Sequence, residues 1–254
     1  GFPYFLQFKP VFFNKDMTTL IQYPAGKTDE AYTIPDCVKN IEGCAFENCS
    51  LLKSVTTGKN VTNIGICAFE SCEALTSVTF SNKVTNIEDY AFQSCAALTS
   101  VTIPHSVTSI GNGLFDGCDA FTSVTIKNPE CQIGRLSYSV FADFVIYGYE
   151  NSSAQTYAEE YNMEFISLGE YVEVEIILGD TDGDGVINSS DASNVLAAYA
   201  LIATGGDSPF TDEQMKAADV NNDGAVDSSD ASSILAYYAY TATGGTGTLE
   251  EFLG

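Results

Sequence analysis

A motif of 23 residues recurs along the first part of this chain and restricts the fold more than any other feature. Val61-Thr-Asn-Ile64, Val84-Thr-Asn-Ile87 and Val107-Thr-Ser-Ile110 each open a copy. Ala68-Phe69, Ala91-Phe92 or Leu114-Phe115 follows, and then Cys72, Cys95 or Cys118. Each copy closes on a strand-like segment, Leu75 to Phe80, Leu98 to Ile103 and Phe121 to Ile126. An earlier copy runs from Val38 through Phe46 and Cys49 to Leu52 and Val55, and a diverged one covers Thr18 to Pro35, with Thr33-Ile34-Pro35 as its strand remnant. A unit this small cannot bury its own apolar side. Stacked at the strand spacing of about 4.8 Å, the units share one continuous core, so the pattern predicts a solenoid of short strands with Ala-Phe-x-x-Cys as a helical turn. After Cys131 the repeat decays into Phe144 to Tyr149 and an expected helix near Ala154 to Tyr161, a terminal cap over the open sheet edge.

The pattern V-T-x-I-x-x-x-A-F-x-x-C-x-x-L-T-S-V-T-I resembles the BspA-like class of leucine-rich repeats over residues 15–168. It departs from the better-known leucine-rich repeat, because the cysteine precedes the strand. The resemblance implies a secreted or surface-bound domain used for adhesion or protein binding. Ser54 and Thr56, Ser77 and Thr79, Ser100 and Thr102, and Ser123 and Thr125 form a hydroxyl-bearing face opposite the core. That face offers a protein or polysaccharide ligand no aromatic platform, and serine and threonine also suit a solvated strand.

Six of the eight cysteines stand in repeat register: Cys49, Cys72, Cys95 and Cys118 in one ladder, Cys44 and Cys67 in another, with Cys37 and Cys131 outside. Ladders of this kind read as small buried hydrophobes with free thiols, since parallel side chains rarely reach disulfide torsions. Zinc is not expected, for there is no C-x-x-C and one histidine. That histidine, His105, follows Pro104 in a turn between repeats and reads as a solvated turn residue, not as the base of a Cys–His pair. A repeat this short offers no deep cleft for the paired carboxylates of a glycosidase, and no catalytic residue is expected.

Charge separates the two parts of the chain. There are 34 acidic against 10 basic side chains, a formal net charge of −24, which repels nucleic acid and anionic lipid. No apolar run approaches the roughly 18 residues of a membrane span. Gly1 to Leu20 lacks the parts of an export signal, so if the protein is exported its signal is expected to have been removed already. Between Glu170 and Gly254 there are 16 acidic residues and one basic residue, Lys216, so metal cations are the natural partners of this part. Tyr171 to Ile177 alternates like a short strand before it.

This acidic part holds a second repeat. Asp180-Thr-Asp182-Gly-Asp184-Gly185-Val186-Ile-Asn188-Ser-Ser-Asp191 and, 39 residues on, Asp219-Val-Asn221-Asn-Asp223-Gly224-Ala225-Val-Asp227-Ser-Ser-Asp230 match an EF-hand calcium loop. Calcium takes six to eight oxygens, and loop positions 1, 3, 5, 7, 9 and 12 supply them. Side chains of Asp180, Asp182, Asp184, Asn188 and Asp191 are the candidate ligands of one ion, with the carbonyl of Val186. Those of Asp219, Asn221, Asp223, Asp227 and Asp230, with the carbonyl of Ala225, are the candidates for a second. Gly185 and Gly224 sit at position 6, where the turn needs positive φ. Position 12 is Asp in both loops, a shorter arm than the usual Glu. Helices are expected over Ala192 to Ala203 and Ala231 to Ala242, with a short one from Thr211 to Ala218 capped by Thr211 and Gln214.

Loop-then-helix twice, with a short helix between and no entering EF-hand helix, resembles the type I dockerin domain over about residues 178–250. The resemblance implies a small all-α fold with two Ca²⁺ ions, a cohesin module of a scaffoldin as partner, and the secreted cellulosome of an anaerobic polysaccharide-degrading bacterium as setting. It also implies cohesin contact at Ser189, Ser190, Leu196, Ala197, Leu201, Ser228, Ser229, Leu235, Ala236 and Tyr240. Aligning Asp180 with Asp219 over 27 positions gives 16 identities, so two similar faces are expected, differing at Leu201 versus Tyr240 and Ala198 versus Tyr237. The expected organisation is a repeat domain over 1–168, a connector over 169–178 and a dockerin over 179–254. Two other readings stay open: a fragment of an enzyme whose catalytic module lies outside this chain, and an EF-hand-like calcium sensor.

Overall fold

The computed structural model describes residues 10–139, 143–171, 177–204, 208–210 and 212–254. Contacts divide the chain into two compact units, 1–171 and 172–254. The strand expected over Tyr171 to Ile177 falls mostly outside the described residues, as does Thr211 of the expected capping box.

The first unit is a parallel solenoid. Its strands are β1 (Phe12–Phe13), β2 (Thr19–Gln22), β3 (Ala31–Thr33), β4 (Asn40–Ile41), β5 (Ser54–Thr56), β6 (Asn63–Ile64), β7 (Ser77–Thr79), β8 (Asn86–Ile87), β9 (Ser100–Ile103), β10 (Ser109–Ile110), β11 (Ser123–Ile126), β12 (Gln132–Ile133), β13 (Val145–Glu150) and β14 (Phe165–Glu170). The closing segments form one side as expected, but in two sheets, β3-β5-β7 and β14-β13-β11-β9. The break between β7 and β9 coincides with Phe80, which takes the place of Ile103 and Ile126 and packs edge-on to Phe92 at 6.1 Å. The opening Val-Thr-x-Ile segments add a second ladder, β1-β2-β4-β6-β8-β10-β12, in which Ile41, Ile64, Ile87, Ile110 and Ile133 lie in register. Antiparallel β1 ends that ladder.

The Ala-Phe-x-x-Cys segment folds as consecutive hydrogen-bonded turns. In three copies one left-handed residue precedes it and another lies within it, Cys44 and Asn48, Cys67 and Ser71, then Tyr90 and Ser94, all with φ between 55° and 59°, so no α-helix grows there. The turns stack the phenylalanines into the core, with ring centroids 4.8 Å apart for Phe46–Phe69 and 5.3 Å for Phe69–Phe92. They also explain the buried cysteine ladder. The thiols of Cys72, Cys95 and Cys118 donate to the carbonyls of Phe46, Phe69 and Phe92 at 3.1, 3.2 and 3.1 Å. All eight cysteines are free.

At the far end, helix α1 (Ser153–Glu160), capped by the Ser152 hydroxyl, packs against β12, β13 and β14. His105 is exposed, but it does more than face solvent. Its Nδ1 lies 3.3 Å from the Lys127 carbonyl, and its ring stacks on Tyr171, whose hydroxyl is 3.3 Å from Nε2. Because a carbonyl only accepts, Nδ1 is the donor in its contact with Lys127.

The second unit is helical: α2 (Ser189–Ala203), α3 (Asp212–Ala218), α4 (Ser228–Ala242) and α5 (Leu249–Leu253). Both long helices begin three residues before the expected starts at Ala192 and Ala231. Their first turn is Ser-Ser-Asp, which carries no apolar periodicity, and capping residues Asn188 and Asp227 set the start instead. Helices α2 and α4 pack together through Ala192, Val195, Ala231 and Ile234. Helix α5, unforeseen, follows a capping box of Thr248 and Glu251 and puts Leu249 into the same core. Among the described residues no helix is long and apolar enough to cross a membrane.

Candidate metal centres

Each calcium-type loop is shaped by its own carboxylates. In the first, Asp180 accepts the N–H groups of Gly183 and Gly185, both at 2.8 Å, while Asp182 and Asp184 accept those of Asp184 and Val186 at 3.3 and 2.8 Å. The chain can curl this tightly because Gly183 and Gly185 adopt φ of 76° and 84°. In the second loop Asp219 accepts from Asp223 and Gly224 at 3.1 and 2.9 Å, Asn221 accepts from Asp223 at 2.9 Å, and Asp223 accepts from Ala225 at 2.9 Å. Here Asn222 and Gly224 take the left-handed positions, with φ of 54° and 86°. The second left-handed position in each loop, Gly183 or Asn222, was legible as a turn residue but not anticipated.

These turns bring ligand-type oxygens of Asp180, Asp182 and Asp184 within 4.8 Å of one another. Among the described residues no histidine nitrogen or cysteine sulfur joins them. A crowded set of hard oxygens suits calcium or magnesium and no soft metal, and the residues therefore fit the expected ion.

Positions 9 and 12 act through the helices. Asn188 and Asp227 are N-caps whose side chains accept the N–H of Ser190 and Ser229 at 2.7 and 2.6 Å. Asp191 and Asp230, both fully buried, are the third residues of α2 and α4. One oxygen of each accepts the N-cap N–H, at 2.9 Å in both loops. The other turns back to the loop start, Thr181 N–H at 2.8 Å and Val220 N–H at 3.0 Å. Aspartate reaches because the helix has already begun at position 10, so the shorter arm ties the loop closed. Burial raises the Asp230 pKa and nearby Asp219 adds to it, against the lowering effect of its backbone donors. The Ser229 N–H and hydroxyl lower that of Asp227.

Beyond the loops, Ser189, Ser190, Leu196, Ala197, Leu201, Ser228, Ser229, Leu235, Ala236 and Tyr240 are all exposed. Leu196, Leu201, Leu235 and Tyr240 keep 44%, 45%, 42% and 39% of their surface, and Tyr199 and Tyr238 on the same two helices keep 39% and 41%. Ala198 and Tyr237 are buried, so that expected difference lies inside the unit and not on its faces. The difference that does reach the surface is Leu201 against Tyr240, whose hydroxyl is held by the Thr246 carbonyl at 3.1 Å and whose ring leans on Phe252.

Two family models match in succession: the BspA type leucine rich repeat region, in six copies over residues 27–144, and the dockerin type I domain over residues 178–237. The chain carries a BspA-type repeat region followed by a type I dockerin. Both are non-catalytic kinds of module, and the dockerin is a calcium-binding, cohesin-recognising one. The repeat region is similar in structure to the pneumococcal vaccine antigen PcpA, at 23% identity with a TM-score of 0.49, covering 64% of this chain and 46% of that one. It is also similar to a leucine-rich cell surface protein from Faecalibacterium prausnitzii, at 31% identity and TM-score 0.42 over 48% of this chain and 36% of that one. A leucine-rich repeat protein from Bacteroides capillosus matches at 30% and 0.41 over 46% and 91%. The chain thus spans less than half the length of the first two. A comparison with curated proteins gave no match.

Proposed function

We propose that this chain is a non-catalytic component of a secreted, extracellular cellulosome, held there by calcium-dependent binding of its dockerin to a scaffoldin cohesin. The repeat region is its cargo, a binding module for a protein, polysaccharide or cell-surface ligand. The observation that carries this reading is the doubled one: two complete loops, each closing on the first turn of a helix that displays serine and large apolar side chains to solvent. Those side chains sit on the outer side of helices whose inner sides form a core, which is the display a protein partner needs.

In this reading one Ca²⁺ is held by Asp180, Asp182, Asp184, Asn188 and Asp191 with the Val186 carbonyl, and a second by Asp219, Asn221, Asp223, Asp227 and Asp230 with the Ala225 carbonyl. The ions neutralise carboxylates that would otherwise repel and so fix both helices. Ser189, Ser190, Leu196, Ala197 and Leu201, or their counterparts Ser228, Ser229, Leu235, Ala236 and Tyr240, then meet the cohesin. The functional division is a repeat domain over 1–168, a connector over 169–178 and the dockerin over 179–254.

The test is a panel of purified type I cohesins exposed to the whole chain in millimolar calcium, with a parallel screen on plant polysaccharides, acetylated xylan, pectin and casein. A one-to-one complex with at least one cohesin and no turnover on any substrate is expected. Hydrolysis that disappears on deleting the repeat region would overturn the non-catalytic reading.

A further inference from the structure

The chain has a single arginine, Arg135, among its 34 acidic side chains. Among the described residues the ion pairs are Lys27–Asp29 and Lys53–Glu30, and no carboxylate pairs with Arg135. Instead the guanidinium lies 5.0 Å from the centre of the Tyr138 ring and 5.7 Å from that of Tyr161. Its Nε donates to the Ser137 carbonyl at 3.2 Å, and its two Nη groups have no hydrogen bond among the described residues. Arg135 is exposed, and the flanking rings keep 46% and 40% of their surface.

This group is displayed on a rigid support. The Arg135 N–H donates to Asn112 Oδ1 at 3.0 Å, and its carbonyl accepts from Gly113 at 2.6 Å. Leu136 is fully buried, and its N–H donates to the Tyr157 hydroxyl at 2.9 Å. Asp116 takes both the Ser137 hydroxyl at 2.8 Å and the Tyr138 N–H at 2.6 Å. Tyr161 rests on Tyr157, with ring centres 4.5 Å apart. Side chains fixed before binding lose little entropy on contact, so the arrangement has the preorganisation of a recognition site.

We propose that Tyr138, Arg135 and Tyr161 bind a uronic-acid sugar carried as a sparse substituent on an otherwise neutral polysaccharide. This deepens the binding role proposed for the repeat region and rests on it. The free edge of a guanidinium matches a carboxylate with two parallel hydrogen bonds. Arg135 lies over both rings, and Tyr90 and Tyr157 pack against Tyr138 and Tyr161 at 6.5 and 4.5 Å, so the part of each tyrosine left exposed is apolar surface for the C–H side of a pyranose beside the guanidinium. The footprint is two rings and one cation, the size of one or two sugars, whereas a stable protein partner needs about 800 Å² on each side. The charge balance points the same way. A net charge of −24 repels an acidic protein surface at range, while one carboxylate on an otherwise neutral glycan presents its charge only to Arg135.

The experiment titrates the whole chain, in millimolar calcium, with a xylo-oligosaccharide bearing one glucuronate and with the same oligosaccharide lacking it, followed by calorimetry. Binding of the uronate form is expected, with the neutral form at least about tenfold weaker, as loss of a charged hydrogen-bonded pair requires. Arg135→Gln and Tyr161→Ala should each weaken it by a similar factor, and Arg135→Lys by less, with unchanged thermal melting of every variant. Equal affinity for the two oligosaccharides, no binding of either, or full affinity in Arg135→Gln would overturn the proposal. So would Arg135-dependent capture of a glutamate-rich peptide in place of the sugar. Cohesin binding measured on the same samples separates this failure from failure of the docking function.

Discussion

Replacing Asp191 with alanine should undo the first loop and take most of the dockerin with it. The side chain is fully buried and accepts the Thr181 N–H at 2.8 Å, the Asn188 N–H at 2.9 Å and the Thr181 hydroxyl at 3.2 Å. Hydrogen bonds to a charged group contribute about 1.5–3 kcal/mol each, so losing the two short amide bonds costs about 4 kcal/mol before any cation is counted. A site with a Kd a thousandfold below the calcium concentration adds about 4 kcal/mol to the native state, and the variant forfeits most of that too. The sum rivals the entire stability of a small domain, about 5–15 kcal/mol. In scanning calorimetry with millimolar calcium, the dockerin transition should drop by tens of degrees, given about 4–8 °C per kcal/mol for a domain of this size, or disappear. The repeat transition should stay in place. Ser193→Ala is the control: its exposed hydroxyl donates to the Ser189 carbonyl, and its loss should cost no more than about 0.5 kcal/mol. An Asp191→Ala dockerin melting within about 4 °C of the parent, with calcium stoichiometry unchanged, would refute this reasoning.

Phe69→Ala opens a hole in the middle of the phenylalanine stack and should destabilise the repeat unit by about 3–5 kcal/mol in denaturant unfolding, leaving the dockerin transition untouched. Cys67 is pushed up to about 12, first by burial and then by Glu70, against an ordinary thiol value of 9.0. Its alkylation by iodoacetamide should therefore keep accelerating above pH 9.0, and the stability it lends is complete below that pH and lost as pH rises toward 12; a rate that levels near the ordinary value would contradict the burial argument. Charge reversal tests the two faces. Ser189→Asp with Ser190→Asp, or Ser228→Asp with Ser229→Asp, should each leave cohesin binding nearly intact, and all four together should abolish it. Loss from one double variant alone would mean a single working face.

The sequence carried its clearest signals where chemistry demands particular residues. The loop aspartates with Gly185 and Gly224, and the apolar spacing of the closing strands, follow from ligand count, positive φ and strand alternation, and all are visible in one reading of the chain. The second ladder was not visible, since Asn63–Ile64 and its relatives are two-residue strands, too short for any period, and pair only because the coils stack. Left-handed turns at Cys67, Tyr90 and Ser94 carry no glycine to announce them. The helix starts at Ser189 and Ser228 were hidden by a polar first turn, although the cap at Asn188 or Asp227 and the aspartate three residues on spelled out a capping box. The same signal stands at Thr248 and Glu251, where only five helical residues follow it. Tyr237 shows the opposite limit. Alignment with Ala198 suggested a surface difference, but its hydroxyl donates to the Gly247 carbonyl at 2.7 Å, and the tail that folds over it is outside the repeat.

The central claim is that calcium makes this chain a cohesin ligand. The measurement that meets it most directly is a calorimetric titration of the whole chain with its best cohesin, once in millimolar calcium and once in excess chelator. Tight one-to-one binding in calcium and a loss of at least about a hundredfold on chelation, with the helical circular dichroism of the dockerin falling in parallel, is the predicted result. Equal affinity in chelator, with helicity retained, would contradict it.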